Sequence, residues 1–221
     1  MEFPLSPRLV AGCTLAGAVA FSTADLLRRV VNPDNGQDPV GLVHQVGEHS
    51  TTWLLAGSLA TLSVFLLAPA ALALAMLAAG RGRVLTRLGG LLFAAGALAS
   101  MSHMVGEFGF PAIRAAAGLD DAALRALDVA GYAPAGVMIA LFILGFTVGL
   151  LLLMIGLRRA GVVPLWSVIA AVVAIAAGGS GGVAAGVVGV VAWLATMAPV
   201  AVALTRPSGV VVTVSPVRAA S

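Results

Sequence analysis

Six apolar runs, each ended by arginine, proline or glycine, leave this chain one architecture: helices that cross a lipid bilayer. A lipid interior offers the backbone no hydrogen-bond partners, so a run of about 20 apolar residues is read as a spanning helix that bonds its own peptide groups. Of the 221 residues, 60% are hydrophobic and 10% charged, and the mean hydropathy is +1.08. Soluble domains carry roughly a quarter charged residues. The sequence therefore predicts one domain, an all-α polytopic transmembrane helix bundle of about six spans, at residues 9–27, 51–79, 84–108, 134–157, 164–177 and 183–204. Residues 206–221, which hold proline, serine and a V-V-V-T-V run, are expected to form a flexible tail.

The punctuation between the runs is specific. Arg28 and Arg29 stop the first, and N-P-D-N-G at 32–36 concentrates turn-forming residues in water or headgroups. Pro39 suits the first turn of the next helix, an amphipathic segment over 39–50 expected to lie at the interface. Trp53 reads as an interfacial anchor, and Pro69 should kink or tilt the second span. G-R-G-R at 80–83 is a tight basic turn into the third span, with Arg87 reaching back to the same interface. Residues 111–133 form the longest polar connection. They include a short surface helix after Leu119, with Asp120 and Asp121 placed to favour its N-terminal dipole. G-G-S-G-G at 178–182 turns the fifth span into the sixth.

All twelve basic residues are arginine, which with abundant Ala, Gly and Val points to a GC-rich bacterial genome and so to the bacterial plasma membrane. With both termini cytoplasmic, Arg8, Arg81, Arg83, Arg87, Arg158, Arg159, Arg206 and Arg218 lie inside and Arg28, Arg29, Arg114 and Arg125 outside, the distribution the positive-inside rule favours. Basic residues scattered at the ends of apolar runs are topology signals; they do not form a nucleic-acid-binding face. The single cysteine, Cys13, excludes an internal disulfide framework. It stands in a lipoprotein-like V-A-G-C, but the apolar run between Arg8 and Cys13 is too short for a signal core, so we expect it packed in a helix. Residues 1–24 have the parts of a cleavable signal, yet the run continues through Leu26 and reads as an uncleaved first span.

Ionisable groups inside the apolar runs are few. S-M-S-H-M-V-G-E-F-G at 100–109 brings His103 and Glu107 to one face near the end of the third span. An ionisable group at such depth costs at least ~2.5 kcal/mol unless paired or wetted, which marks it as a functional candidate. The same H-x-x-x-E spacing recurs as His44 and Glu48, with His49 beside them. Such faces can relay a proton or bind a divalent transition metal, and His103 with His49 or His44 is the available bis-histidine arrangement for haem. No hydrolase setting surrounds Ser100 and Ser102, and G-G-S-G-G lacks the lysine of a phosphate loop.

On the first span Thr14, Ala18, Ser22 and Asp25 form one stripe, and on the third Gly96, Ser100, His103 and Glu107 form another. If the two stripes face each other, Asp25 approaches His103 with Glu107 just above; otherwise Asp25 pairs with Arg28 or Arg29 one turn away. The G-x-x-x-G pairs Gly145/Gly149 and Gly182/Gly186 suit close helix packing within the bundle or a homodimer face.

The His-bearing segment before the second span, Pro69 within that span and the R-x-R turn of Arg81 and Arg83 resemble small six-helix membrane proteins of GC-rich bacteria. The resemblance covers about the first half of the chain and implies location and architecture, with no activity attached. The functional expectation is a non-catalytic accessory or sensory subunit in contact with the lipid bilayer and other membrane subunits. Its alternatives are an outward-facing metal or haem protein using His103 and Glu107, and an ion or small-solute transporter.

Overall fold

The computed structural model describes residues 6–33, 38–77, 80–130 and 133–206. Among them every regular element is helical. Helix α1 covers Pro7–Val31, α2 Pro39–Glu48 and α3 Ser50–Leu77, while α4 runs Arg83–Met104 and continues through a π-helical turn, Val105–Gly109, into α5, Phe110–Ala116. Then come α6 (Asp121–Ala130), α7 (Ala133–Leu144), a second π-helical turn (Gly145–Gly149), α8 (Leu150–Arg159), α9 (Leu165–Gly178) and α10 (Val183–Thr205). The tail beyond Arg206 and residues 78–79, the end of the expected second span, lie outside the described residues.

Local chemistry explains the starts. Ser6 caps α1 by accepting from Leu9 N at 3.2 Å, and Asp38 caps α2 by accepting from Val40 N and Gly41 N at 3.2 and 3.1 Å, with Pro39 at the first turn as expected. Asp120 accepts from Ala123 N at 2.8 Å at the head of α6.

Among the described residues five helical stretches are long and apolar enough to cross a membrane: Pro7–Val31, Ser50–Met76, Arg83–Ala116, Gly136–Arg159 and Val183–Thr205. Their outward faces remain apolar, with Leu54, Leu62, Phe65, Leu88, Leu91, Val187 and Val191 all exposed. An apolar surface on that scale is stable against lipid, not water, and the chain is an integral membrane bundle. The expected fifth span, α9, has 14 residues and spans only about 21 Å, short of a ~30 Å hydrocarbon layer.

Two sequence expectations are corrected. Helix continues past Phe108 to Ala116 where a polar connection was expected, because Pro111 does not break it. Pro111 lacks an N–H and its ring would crowd the carbonyl four residues back, and the widened π-turn just before it accommodates both effects. Trp53 is not an interfacial anchor: it is 0% exposed, and its Nε1–H donates to the Phe108 carbonyl at 3.0 Å inside that turn. Trp53→Phe keeps an aromatic ring but removes this hydrogen bond, so it should destabilise the protein by about 0.5–1.5 kcal/mol, read as an earlier unfolding transition in detergent.

Packing follows from small residues. α1 lies between α3 and α10, α4 between α3 and the α7–α8 rod, and α9 packs on α10. A Cβ on Gly96 would come within 2.6 Å of Gly145 Cα, and one on Gly149 within 2.6 Å of Phe93 N, so this G-x-x-x-G seats α4 against its neighbour within the chain. At one end of the bundle α2, α5 and α6 form a cap, joined by Val40, Val43 and Leu124 and by Val46 beneath α5.

Candidate functional site

The capped end holds a cavity of about 620 Å³ bounded by α1, α4, both π-turns, α7, α9 and α10. Its wall joins Asp25, Arg28, His103 and Glu107 to the aromatic side chains of Phe21, Phe142, Phe146 and Trp193. The two π-turns present here are the only ones among the described residues, and each places a side chain on this wall: Glu107 from the first, Phe146 from the second. Such turns recur at functional sites because one extra residue per turn re-aims the side chains that follow.

Arg28 and Arg29 organise the polar rim. Asp25 accepts from Arg29 Nε at 2.7 Å and from Arg28 Nη2 at 3.0 Å, while Arg28 Nη1 reaches Glu107 at 3.5 Å. Arg29 is wholly buried and ends α9: its guanidinium donates to the carbonyls of Ala177 at 3.0 Å, Gly178 at 3.2 Å, Gly182 at 3.4 Å and Ser180. The guanidinium thus directs four contacts at the carbonyls around the end of α9, keeps its Nε–H for Asp25, and opposes the negative end of the helix dipole.

Beneath the rim the rings interlock. Phe146 lies 4.8 Å from Phe21, 4.9 Å from Phe93, 4.9 Å from Phe142 and 5.9 Å from Trp193, centroid to centroid. The His103 ring stacks on Phe142 at 5.1 Å and lies within electrostatic reach of Glu107 and Arg28. Deeper still, the core is closed by buried Leu67, Leu150, Leu153, Met154 and Met197.

The sequence-selected residues thus fall in two places. Asp25, His103 and Glu107 share the cavity, with Asp25 held by the arginines of its own helix. The two polar stripes do not pack face to face: α1 packs chiefly on α3 and α10, Ser22 donates to its own helix at Ala18 O, 2.7 Å, and Ser100 to Ala97 O, 2.6 Å. His44, Glu48 and His49 are exposed on the cap, where His44 Nε2 meets Asp121 at 3.2 Å. Among the described residues no group of three or more His, Cys, Asp or Glu side chains is placed to hold a metal ion, and of the histidines named for haem His103 lines the cavity while His44 and His49 are on the cap. Sequence reasoning overlooked the aromatic floor and the capping role of Arg29. The available signal was Phe142 and Phe146 one helical turn apart.

No protein-family model, curated protein or solved structure matches the chain.

Proposed function

We propose that this is a six-span bacterial plasma-membrane protein that binds an amphiphilic small molecule at its capped end and acts as a non-catalytic sensory or accessory subunit. One observation carries the reading: a cavity whose rim is ionisable and whose floor is aromatic. That gradient matches a molecule with a polar head and an apolar body. A blind floor of leucine and methionine below the rings favours binding over passage of ions or solutes. The purified protein in lipid nanodiscs should quench its tryptophan fluorescence saturably with a bromoalkyl amphiphile, because Trp193 lines the cavity. Phe142→Ala should weaken that binding about tenfold, the loss of roughly 1.4 kcal/mol of ring contact. Quenching that only tracks partition into lipid, unchanged by Phe142→Ala, would remove the reading.

The capped end is proposed as the external one. Arg29 is committed to α9 and drops out of the loop charge balance, which strengthens the bias of the remaining arginines toward the opposite end. Reporter fusions after Gly82 and Arg159 should behave as cytoplasmic, and those after Gly36 and Leu119 as external. The reversed pattern would overturn the orientation.

A further inference from the structure

At the end of the bundle opposite the cap, two segments far apart in the chain meet. The turn at 80–83 docks on the last turn of α8: a Cβ on Gly82 would overlap the Gly156 carbonyl oxygen and stand 3.1 Å from Arg159 Cβ, and Gly82 itself holds a φ of +97°. Only glycine suits that position. The contact continues along the seam, where Gly156 is pressed against Thr86 and Gly89 against Leu153. It brings Arg81, Arg83 and, one turn further, Arg87 beside the helix end that carries Arg158 and Arg159, and all five arginines are exposed.

Among the described residues no acidic side chain answers this charge. None of the five arginines joins an ion pair there, and every described Asp and Glu belongs to the capped half, in the last two turns of α1, in the first π-turn, or at α2 and α6. The 22 residues of α4 set Arg83 about 33 Å from that π-turn, several times the ~8 Å over which physiological salt screens a charge. Five like charges therefore repel one another until an anion comes among them. The surface beside them belongs to lipid. Val84, Leu88 and Leu91 are exposed on α4 and Ile155 on α8, while Trp166, exposed at the start of α9, suits the headgroup layer. Guanidiniums at headgroup level beside apolar helix faces are placed for a phosphate whose acyl chains lie along those faces.

We infer that this end binds a diphosphatidyl lipid, with one phosphate taken by Arg81, Arg83 and Arg87 and the other by Arg158 and Arg159. Two arginine groups on two packed segments match two phosphates carried on one head, whereas a lipid with a single phosphate leaves one group without its anion. The site lies at the far end of the bundle from the aromatic cavity and does not depend on what that cavity binds.

The test uses the full chain in a neutral maltoside detergent, titrated with diphosphatidylglycerol, phosphatidylglycerol, phosphatidylcholine or inorganic pyrophosphate, with bound lipid counted by native mass spectrometry. One diphosphatidylglycerol is expected to bind about tenfold or more tighter than either other lipid, and pyrophosphate at equal concentration to leave it in place. Arg83→Gln with Arg159→Gln, one arginine from each group, should weaken that lipid about tenfold or more. The second pair, Arg81→Gln with Arg158→Gln, should behave alike, and Arg8→Gln, at the same end but on α1, should change nothing. These side chains are exposed, so every variant should elute as the parent does on size exclusion. Phosphatidylglycerol binding as tightly as the diphosphatidyl lipid would overturn the match to two phosphates. Phosphatidylcholine binding as tightly would overturn the site, and displacement by pyrophosphate would overturn the lipid in favour of a soluble phosphate. An equal loss in Arg8→Gln, or none in either pair, would overturn the assignment to α4 and α8.

Discussion

Arg29→Ala should cost about 3–5 kcal/mol of stability, the range for removing one partner of a buried charge network, and should release the α9–α10 pair from α1. The substitution removes the donors that satisfy the end of α9 and leaves Asp25 with Arg28 alone. It also opens a void beside Gly186, where a Cβ would lie 2.8 Å from Arg29 Cδ, so the glycine exists to admit this side chain. Arg29→Lys keeps the charge but has three donors for acceptors spread over residues 177–182, and should recover only part of the loss. Thermal unfolding in mild detergent, followed by the fraction that survives size exclusion, ranks the three proteins. Equal stability of parent and Arg29→Ala would show that water, not arginine, satisfies the end of α9.

Gly96→Leu should separate α4 from the α7–α8 rod and prevent accumulation of the folded protein. Gly96 and Gly145 touch backbone to backbone, and Gly89 is pressed in the same way against Leu153, so nothing flexible can yield to a side chain at this seam. Even Gly96→Ala overpacks it, with an expected loss of about 1–3 kcal/mol. Gly12 is the control: a Cβ there meets nothing within 4 Å, and Gly12→Ala should be neutral or mildly stabilising. A Gly96→Leu protein as stable as the Gly12→Ala protein would show that the seam is not close-packed. Because Gly96 and Gly145 lie directly below the His103 and Phe146 side of the cavity, spreading this seam should also abolish amphiphile binding.

Asp25 shows how far local reasoning reaches. Spacing alone placed Arg28 and Arg29 within one turn of it, and those are its partners. Depth counting placed His103 and Glu107 at a similar level, and they share its cavity, yet the stripes bearing them do not meet. Counting residues along two helices fixes height but not rotation, and rotation is decided by which faces the remaining helices fill. Trp53 failed for a related reason. Its position at the head of a span suits a headgroup anchor equally well, and only the carbonyl of Phe108, 55 residues away, draws it inward.

The sequence by itself determined the helical membrane class, the places where helices begin and turn, and the few ionisable residues worth attention. These follow from local rules: lipid forbids unpaired backbone, caps and prolines act within a turn, and buried charge is costly wherever it occurs. Tertiary structure alone decided that α9 is a short helix ended by an arginine from α1, that helix continues through Pro111 on a π-turn, and that four aromatic side chains from α1, α7, the second π-turn and α10 floor one cavity. Each of these joins groups far apart in the chain, and in lipid, where one apolar face is as well solvated as another, such partners are chosen by shape and by rare polar contacts that periodicity does not encode.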